Sequence, residues 1–218
     1  MQIQAKLDAV KAEHERAGRG AQVSLLHALA AAVATEERSR PLKAGDVAPR
    51  FRLPDLRGTA VSSDALLEDG PLVVTFYRGL WCPHCQRDLR DLHETMPRIR
   101  SAGSSAVAIT RSQLPGHGLQ AAADHPDSFP TLEDGTGEVA VGFGIRWSME
   151  DSELIDRYLG ADIVTLRSTQ PWICPMQARF LVGRDGRIAF AESAFGYEGR
   201  TEPSELIPLL TRVSGQGG

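Results

Sequence analysis

Two cysteines three residues apart constrain this chain more than any other feature. Cys82 and Cys85 come shortly after Leu72–Tyr77, an uninterrupted β-prone run of the kind that forms a strand buried on both faces. Beyond the cysteines, apolar residues recur at three- and four-residue steps, at Leu89, Leu92, Met96 and Ile99. This spacing predicts a helix from Pro83 to about Ser101.

A cysteine at the N-terminus of a helix has surroundings that favour its thiolate. Unpaired backbone N–H groups and the positive end of the helix dipole both stabilise negative charge on Cys82. Pro83 suits the first helical turn because it has no N–H to lose, and His84, when protonated, places positive charge beside the sulfur. Cys85 follows one helical turn later, where its sulfur can approach that of Cys82. We therefore predict Cys82 as the nucleophile, Cys85 as the resolving thiol and His84 as a residue that lowers the pKa of the Cys82 thiol.

The same spacing has two other interpretations. Paired cysteines also occur in zinc sites, but tetrahedral zinc needs four ligands, and Cys174 is the only other cysteine, with no second CxxC and no HxxxH spacing. Alternatively, the domain is a non-catalytic binding or assembly module that keeps the fold without the chemistry. The succession of strand, cysteine pair and helix favours redox chemistry over both, with no cofactor and no metal.

Composition and charge argue against several other classes of function. The 218 residues include 24 Lys and Arg against 28 Asp and Glu, a net charge of -4 without a basic block, so nucleic acid is not an expected partner. The sequence has no signal-peptide pattern and no stretch of about 18 apolar residues. Three cysteines are too few for a disulfide framework. We expect a soluble, cytoplasmic protein that does not act at a membrane.

The remaining pattern separates an N-terminal extension from one α/β domain. Residues 3–34 are alanine-rich with apolar positions at helical spacing, and a charged connection ending at Pro41 follows. We predict a helical extension over residues 1–40 and a redox domain over residues 41–218. Because apolar residues of the extension need cover, it docks on its own domain or on a second subunit, so a homodimer is one of two alternatives.

Within the domain, strands alternate with helices, and a late hairpin makes part of the sheet antiparallel. The further predicted strands are Phe51–Leu53, Ala106–Thr110, Arg179–Gly183 and Arg187–Ala191, the last two joined by a turn at Asp185-Gly186. The further predicted helices are Gly118–Asp124 and Thr201–Val213. The sequence thus predicts a mixed β-sheet flanked by helices.

The segment Phe76–Cys85, which reads FYRGLWCPHC, resembles the active-site segment of peroxiredoxin-like proteins in the AhpC/TSA family, named for alkyl hydroperoxide reductase and thiol-specific antioxidant. Gly45–Pro54 resembles the first segment of that family's domain, and Arg179–Gly186 resembles its hairpin. The resemblance covers residues 42–212. It implies a thioredoxin-like fold and an antioxidant enzyme that reduces hydroperoxides with a thiol.

Three positions depart from the pattern of the peroxiredoxins that this segment resembles. Those enzymes have a proline seven residues and a threonine three residues before the reacting cysteine, where this chain has Thr75 and Gly79. They also bring an arginine to the peroxide from three residues before the hairpin phenylalanine, where this chain has Gln177. The departures predict slower peroxide reduction than in those enzymes and leave disulfide exchange as an equal alternative.

Thioredoxins carry a proline at that same hairpin position, and the nearest proline here is Pro175. The resemblance therefore implies that Cys174, Pro175 and Gln177 belong to a loop opposite Cys82. Cys174 then either approaches the redox pair or is a small buried apolar residue.

The expected reaction is attack of the Cys82 thiolate on a protein disulfide or a hydroperoxide, with resolution by Cys85. A thiol reductant such as a thioredoxin- or glutathione-type system would complete the cycle. The residues predicted to contact the substrate are Trp81, Pro83, Cys174, Pro175 and Gln177. Arg78, four residues before Cys82, is predicted to hold a thiolate or a substrate carboxylate, with a solvated arginine at a strand end as the alternative.

Overall fold

The computed structural model describes residues 40–79, 83–111, 129–149, 172–175, 177–194 and 201–215, together with Ala12 and Arg16. Its strands are β1 (Arg52–Pro54), β2 (Ala60–Ser62), β3 (Leu72–Phe76), β4 (Ser105–Thr110), β5 (Thr131–Glu133), β6 (Arg146–Met149), β7 (Trp172–Pro175), β8 (Gln177–Val182) and β9 (Ile188–Ala194). Its helices are α1 (Ser63–Asp69), α2 (Pro83–Ser101), α3 (Glu138–Gly142) and α4 (Ile207–Gly215), and a 3₁₀ turn spans Pro203–Leu206.

Five of these strands form one mixed sheet in the order β5, β4, β3, β8, β9. β4 is parallel to both β3 and β5, whereas β8 is antiparallel to both β3 and β9. The predicted mixed sheet is confirmed, and β3, whose residues are all buried, is its central strand. Two small antiparallel pairs, β1 with β2 and β6 with β7, stand apart from this sheet.

The strongest local patterns are confirmed by the structure. α2 begins at Pro83 and ends at Ser101, as the apolar spacing predicts. The β8–β9 hairpin closes with the Gly186 N–H donating to the Gly183 carbonyl at 2.9 Å. Gly186 has a φ of 77°, a left-handed conformation that glycine adopts without a steric cost.

The predicted closing helix is only partly correct, because the segment divides into the 3₁₀ turn and α4. Pro208 has no N–H to donate to the Ser204 carbonyl, so continuous α-helical bonding begins only in α4. The strands and helices that the sequence analysis missed, β2, α1, β5, α3, β6 and β7, are three to seven residues long and too short for a periodic signal.

Two predictions fall outside the described residues. One is the short helix at Gly118–Asp124. The other is the helical extension over residues 1–40, of which only Ala12, Arg16 and Arg40 are described; Ala12 and Arg16 are helical. The division into extension and domain therefore stays a prediction. In the described part of the chain, no helix is long and apolar enough to cross a membrane.

The two faces of the main sheet bury different clusters of side chains. One face packs an aromatic group, Phe76, Phe143 and Phe180, with ring centroids 4.7 to 6.1 Å apart. The opposite face, which includes Tyr77 and Leu181, packs against α2 and α4. The buried side chains that α2 contributes to this second cluster are Cys85, Leu89, Leu92, Met96 and Ile99. The sheet therefore holds α2 with Cys85 facing inward.

Candidate redox site

The candidate site lies where β3 ends and α2 begins. Cys85 is in the first turn of α2, and its thiol is fully buried, with 0% of the residue exposed. Trp81 and Cys82 lie outside the described residues, and for Pro83 and His84 the structure describes only their place in the helix. The structure thus places the predicted resolving thiol, whereas the roles assigned to Cys82, Trp81, Pro83 and His84 stay predictions.

Gln177 is the side chain that contacts the Cys85 sulfur from the sheet. Its Nε2 lies 2.8 Å from Cys85 Sγ. Gln177 is the first residue of β8 and is 1% exposed. Its Oε1 is buried and has no hydrogen-bond partner in the described part of the chain. An amide with one engaged donor group and one unsatisfied acceptor therefore faces the buried thiol.

Tyr77 belongs to the same layer, one residue beyond the end of β3. Burial raises the pKa of the Tyr77 phenol well above its ordinary value, and negative charge on Cys85 and on Glu133 acts in the same direction. Tyr77 is therefore a neutral phenol at any physiological pH. Its ring contributes an apolar wall to the cluster that contains Cys85.

A buried ionic network lies one layer deeper between the sheet and α2. Arg179, with no exposed surface, donates from Nη2 to Asp88 Oδ1 at 2.5 Å and from Nε to Thr75 Oγ1 at 3.3 Å. Its Nη1 donates to the Thr201 carbonyl at 2.6 Å and lies 3.7 Å from Glu192 Oε1. The guanidinium thus links α2, β3, β8, β9 and the chain segment before α4.

The periodicity of β8 and α2 explains why the contacts of Cys85 and of Arg179 lie in successive layers. Gln177 and Arg179 are two residues apart on β8 and share one face of the strand, while Cys85 and Asp88 are three residues apart on α2 and share one face of the helix. The sheet and the helix therefore meet in two successive polar pairs, Gln177 with Cys85 and Arg179 with Asp88. Apolar residues fill the layers farther from the cysteines.

The network adds a residue, Arg179, that the sequence analysis did not place in the site. Because its donors are engaged by Asp88, Thr75 and Thr201, Arg179 serves as an internal cross-link. A signal was present in the sequence: Arg179 is the one charged residue of the predicted strand Arg179–Gly183, whose other residues are apolar or glycine. Its partner, however, lies 91 positions away along the chain and is not identifiable from spacing.

The predicted loop around Cys174 is wrong. Cys174 and Pro175 belong to β7, where they pair with Trp147 and Arg146, and Gln177 already begins β8. The pairing partner is β6, an element that the sequence analysis missed, so an extended segment was interpreted as a loop. The proposed contacts of Cys174 and Pro175 with substrate stay predictions.

Arg78 is buried, with 7% of the residue exposed. The alternative that it is a solvated arginine at a strand end is therefore wrong. Its predicted role, holding a thiolate or a carboxylate, stays a prediction. Within the described residues, no three His, Cys, Asp or Glu side chains form a group that could hold a metal ion.

Gly79 has a backbone conformation that limits what can replace it. Its φ is 146°, in a region that side chains with a Cβ rarely adopt. The threonine found at the matching position of the peroxiredoxins described above would therefore be strained in this chain.

We expect Gly79→Thr to lower the free energy of unfolding by about 1 to 3 kcal/mol and not to increase the rate of peroxide reduction. Urea unfolding and a peroxide assay measure the two effects. Gly135→Ala is the control, because Gly135 has open space around its Cα and a φ outside the left-handed region, so its stability should change little. A stable Gly79→Thr variant with faster peroxide reduction would contradict the prediction.

Comparison with known proteins identifies the family of this chain. Residues 44–191 match the model of the AhpC/TSA family. Over 148 residues, 68% of this chain and 83% of the relative, the chain is 30% identical to peroxiredoxin Bcp of Escherichia coli. It is 33% identical to the candidate peroxiredoxin Rv1608c of Mycobacterium tuberculosis over 108 residues, 48% of this chain and 68% of that protein.

Solved structures show the same fold. The crystal structure of peroxidoxin BcpB from Mycobacterium tuberculosis aligns with a TM-score of 0.58 at 20% identity, covering 81% of this chain and 99% of that one. Mycobacterium tuberculosis AhpC aligns with a TM-score of 0.56 at 17% identity, covering 82% of this chain and 96% of that one. The mixed sheet with its flanking helices is thus a thioredoxin-like fold. The chain belongs to the AhpC/TSA family and is a thiol-dependent oxidoreductase of the peroxiredoxin type.

Proposed function

We propose that this chain reduces hydroperoxides with Cys82 as the reacting thiol and Cys85 as the resolving thiol. The observation that carries the proposal is the buried Cys85 thiol in the first turn of α2, a helix that begins directly after Cys82 in the sequence. Membership of the AhpC/TSA family supports peroxide as the oxidant. A resolving thiol one turn from the reacting one allows the cycle to be completed within one chain.

The proposed reaction has two steps. The Cys82 thiolate attacks one oxygen of the peroxide, the O–O bond breaks, and the sulfur becomes a sulfenic acid while the other oxygen leaves with a proton as an alcohol or water. The Cys85 thiolate then attacks the Cys82 sulfur, a disulfide forms, and hydroxide leaves and takes a proton. Two thiols of a reductant return the disulfide to two thiols.

The roles of other residues are assigned from the sequence and from the family resemblance. His84, when protonated, would stabilise the Cys82 thiolate, and the buried Arg78 would hold a thiolate or a substrate carboxylate. Trp81, Pro83, Cys174 and Pro175 would contact the substrate. The reductant is a thiol of thioredoxin or glutathione type, so a reducing compartment such as the cytoplasm fits the cycle. The predicted helical extension leaves a homodimer open.

Dithiol–disulfide exchange is a second candidate, favoured by the positions where this chain departs from the peroxiredoxin pattern. The Thr75 hydroxyl is engaged by Arg179, the Gln177 amide is engaged by Cys85, and Gly79 has no side chain. Donors that would stabilise the departing oxygen of a peroxide are thus missing at these positions. Disulfide exchange needs only a reactive thiolate and a resolving thiol.

We expect the reduced protein to be oxidised by hydrogen peroxide more than a hundredfold below the diffusional limit, since loss of one charge-stabilising donor typically costs about a hundredfold or more. Oxidation by a strained protein disulfide should be the faster reaction. Stopped-flow tryptophan fluorescence with each oxidant measures both rates. A rate of oxidation by hydrogen peroxide near the diffusional range would contradict this order. The same measurement with an alkyl hydroperoxide tests whether a larger peroxide reacts faster than hydrogen peroxide.

A further inference from the structure

The buried thiol of Cys85 has to exist as a thiolate twice in the proposed cycle. In resolution, its thiolate attacks the Cys82 sulfur as the S–OH bond breaks. In reduction, the thiolate of the reductant attacks Cys82, the new disulfide forms there, and the bond between the two cysteines breaks so that Cys85 leaves with the electron pair. Both steps place negative charge on a sulfur that has no exposed surface.

Burial by itself opposes this charge. An anion removed from water loses its hydration, and the neighbours of Cys85 in its cluster include the apolar side chains Leu89 and Leu92. A thiolate is only a hydrogen-bond acceptor, so a donor that is fixed in place offsets part of the lost hydration. The Gln177 amide is a donor described at this position, 2.8 Å from the sulfur.

We propose that Gln177 is a positioning residue for the resolving cysteine: its side-chain amide donates to Cys85 Sγ and stabilises the thiolate that this buried sulfur forms during resolution and reduction. This inference rests on the proposed function only for the identity of the steps. The contact itself does not depend on the oxidant. It assigns Gln177 to the buried sulfur, whereas its sequence position suggested a contact with substrate.

The amide is held so that its donor points at the sulfur. Gln177 is 1% exposed, and its backbone is fixed by pairing with Ala194 of β9. The amide is also suited to both protonation states of the cysteine. Its NH₂ group serves the thiolate, and rotation of the terminal amide would present the buried Oε1, which has no partner in the described residues, to an S–H donor.

Charged and titratable groups around Cys85 come from several elements. From the β3 side, Tyr77 is a neutral phenol, and Arg78 follows it in the chain. On α2 itself, Asp88 lies one turn farther on and pairs with Arg179 of β8, which also lies 3.7 Å from Glu192 Oε1 of β9. Glu133 acts on Tyr77. On β8, the Gln177 amide is the polar group described in direct contact with the sulfur.

The test measures the pKa of Cys85 in a protein that contains it as the only cysteine, made by Cys82→Ser and Cys174→Ser. The isotope-labelled Cβ of Cys85 is followed by NMR as the pH is raised. We expect Gln177→Leu to raise the Cys85 pKa by about one unit or more, a tenfold loss of thiolate at a given pH, because the donor is lost. Gln177→Glu should raise it further, because a carboxylate adds like charge.

We expect the Cys85 pKa to be lowest with Gln177, higher in Gln177→Leu and highest in Gln177→Glu. A residue that only fills space would not produce this order. An unchanged or lower Cys85 pKa in Gln177→Leu would overturn the proposal. If Gln177→Leu does not fold, Gln177→Met provides an unbranched apolar side chain of similar length for the same comparison.

A second measurement connects the contact to the cycle. In the protein with all three cysteines, Gln177→Leu should move the pH profile of disulfide formation to higher pH by about one unit. A slowed Cys82 oxidation with an unshifted profile would overturn the assignment. If the pKa order holds but neither peroxide nor disulfide oxidises Cys82, the proposed function fails and the role of Gln177 in holding the Cys85 thiolate stands.

Discussion

Replacing Cys82 with serine is expected to lower the steady-state reduction of either oxidant by at least about a thousandfold. A serine hydroxyl is not ionised at neutral pH and cannot form the sulfenic acid or the mixed disulfide, so the covalent step is lost entirely. The measurement is turnover of hydrogen peroxide, an alkyl hydroperoxide and a strained protein disulfide, each with a dithiol reductant.

Cys85→Ser is the matched variant, because it separates the resolving role from the reacting role. It should retain one round of Cys82 oxidation, seen as a single burst, and then stop at a sulfenic acid or mixed disulfide that mass spectrometry can identify. Arg87→Ala, on the exposed side of the same helix, should change the rate of the burst and the rate of steady-state turnover less than about twofold. If Cys85→Ser loses the burst and Cys82→Ser retains it, the two roles are reversed.

Replacing Arg179 with alanine is expected to lower the free energy of unfolding by about 3 to 5 kcal/mol. The substitution leaves the Asp88 carboxylate, 2% exposed, without its cation and removes the donor to the Thr201 carbonyl. Because a domain of ordinary stability has only about 5 to 15 kcal/mol in total, the variant should be close to unfolding. Urea unfolding followed by circular dichroism measures the change.

Two controls show whether the cost comes from the buried charge. Arg87 and Asp91 form an exposed pair on the same helix at 3.8 Å, so Arg87→Ala should cost less than about 1 kcal/mol. Combining Arg179→Met with Asp88→Leu removes both charges and should recover a large part of the stability lost in Arg179→Ala. A cost for Arg179→Ala similar to that for Arg87→Ala would contradict a structural role for the network.

The two polar pairs between β8 and α2 give these experiments different readouts. Gln177 acts on the buried sulfur, so its removal is expected to change a pKa and a pH profile. Arg179 acts on the position of the helix that carries the sulfur, so its removal is expected to change stability. A variant of either residue that changed both the Cys85 pKa and the free energy of unfolding would indicate that the two polar pairs are not independent.

Local patterns in the sequence were sufficient to predict much of the sheet and the helix that carries Cys85. The buried run of β3, the apolar spacing of α2 and the turn at Asp185-Gly186 are each formed by neighbouring residues, and all three are confirmed. The resemblance of FYRGLWCPHC to the AhpC/TSA family is confirmed in the same way. Short-range hydrophobic periodicity and turn chemistry determine the strand, the helix and the turn, so a single sequence is enough to predict these three elements.

Only the tertiary structure decided which side chains meet across the sheet. Gln177 and Cys85 are 92 positions apart, and the contact depends on the register of β8 against β3 and on which face of α2 turns inward. The burial of Arg78 and the pairing of Cys174 in β7 likewise depend on elements that are distant in sequence. Sequence spacing reports periodicity within an element, but the register between elements is set by packing, and packing is what places Gln177 on the sulfur.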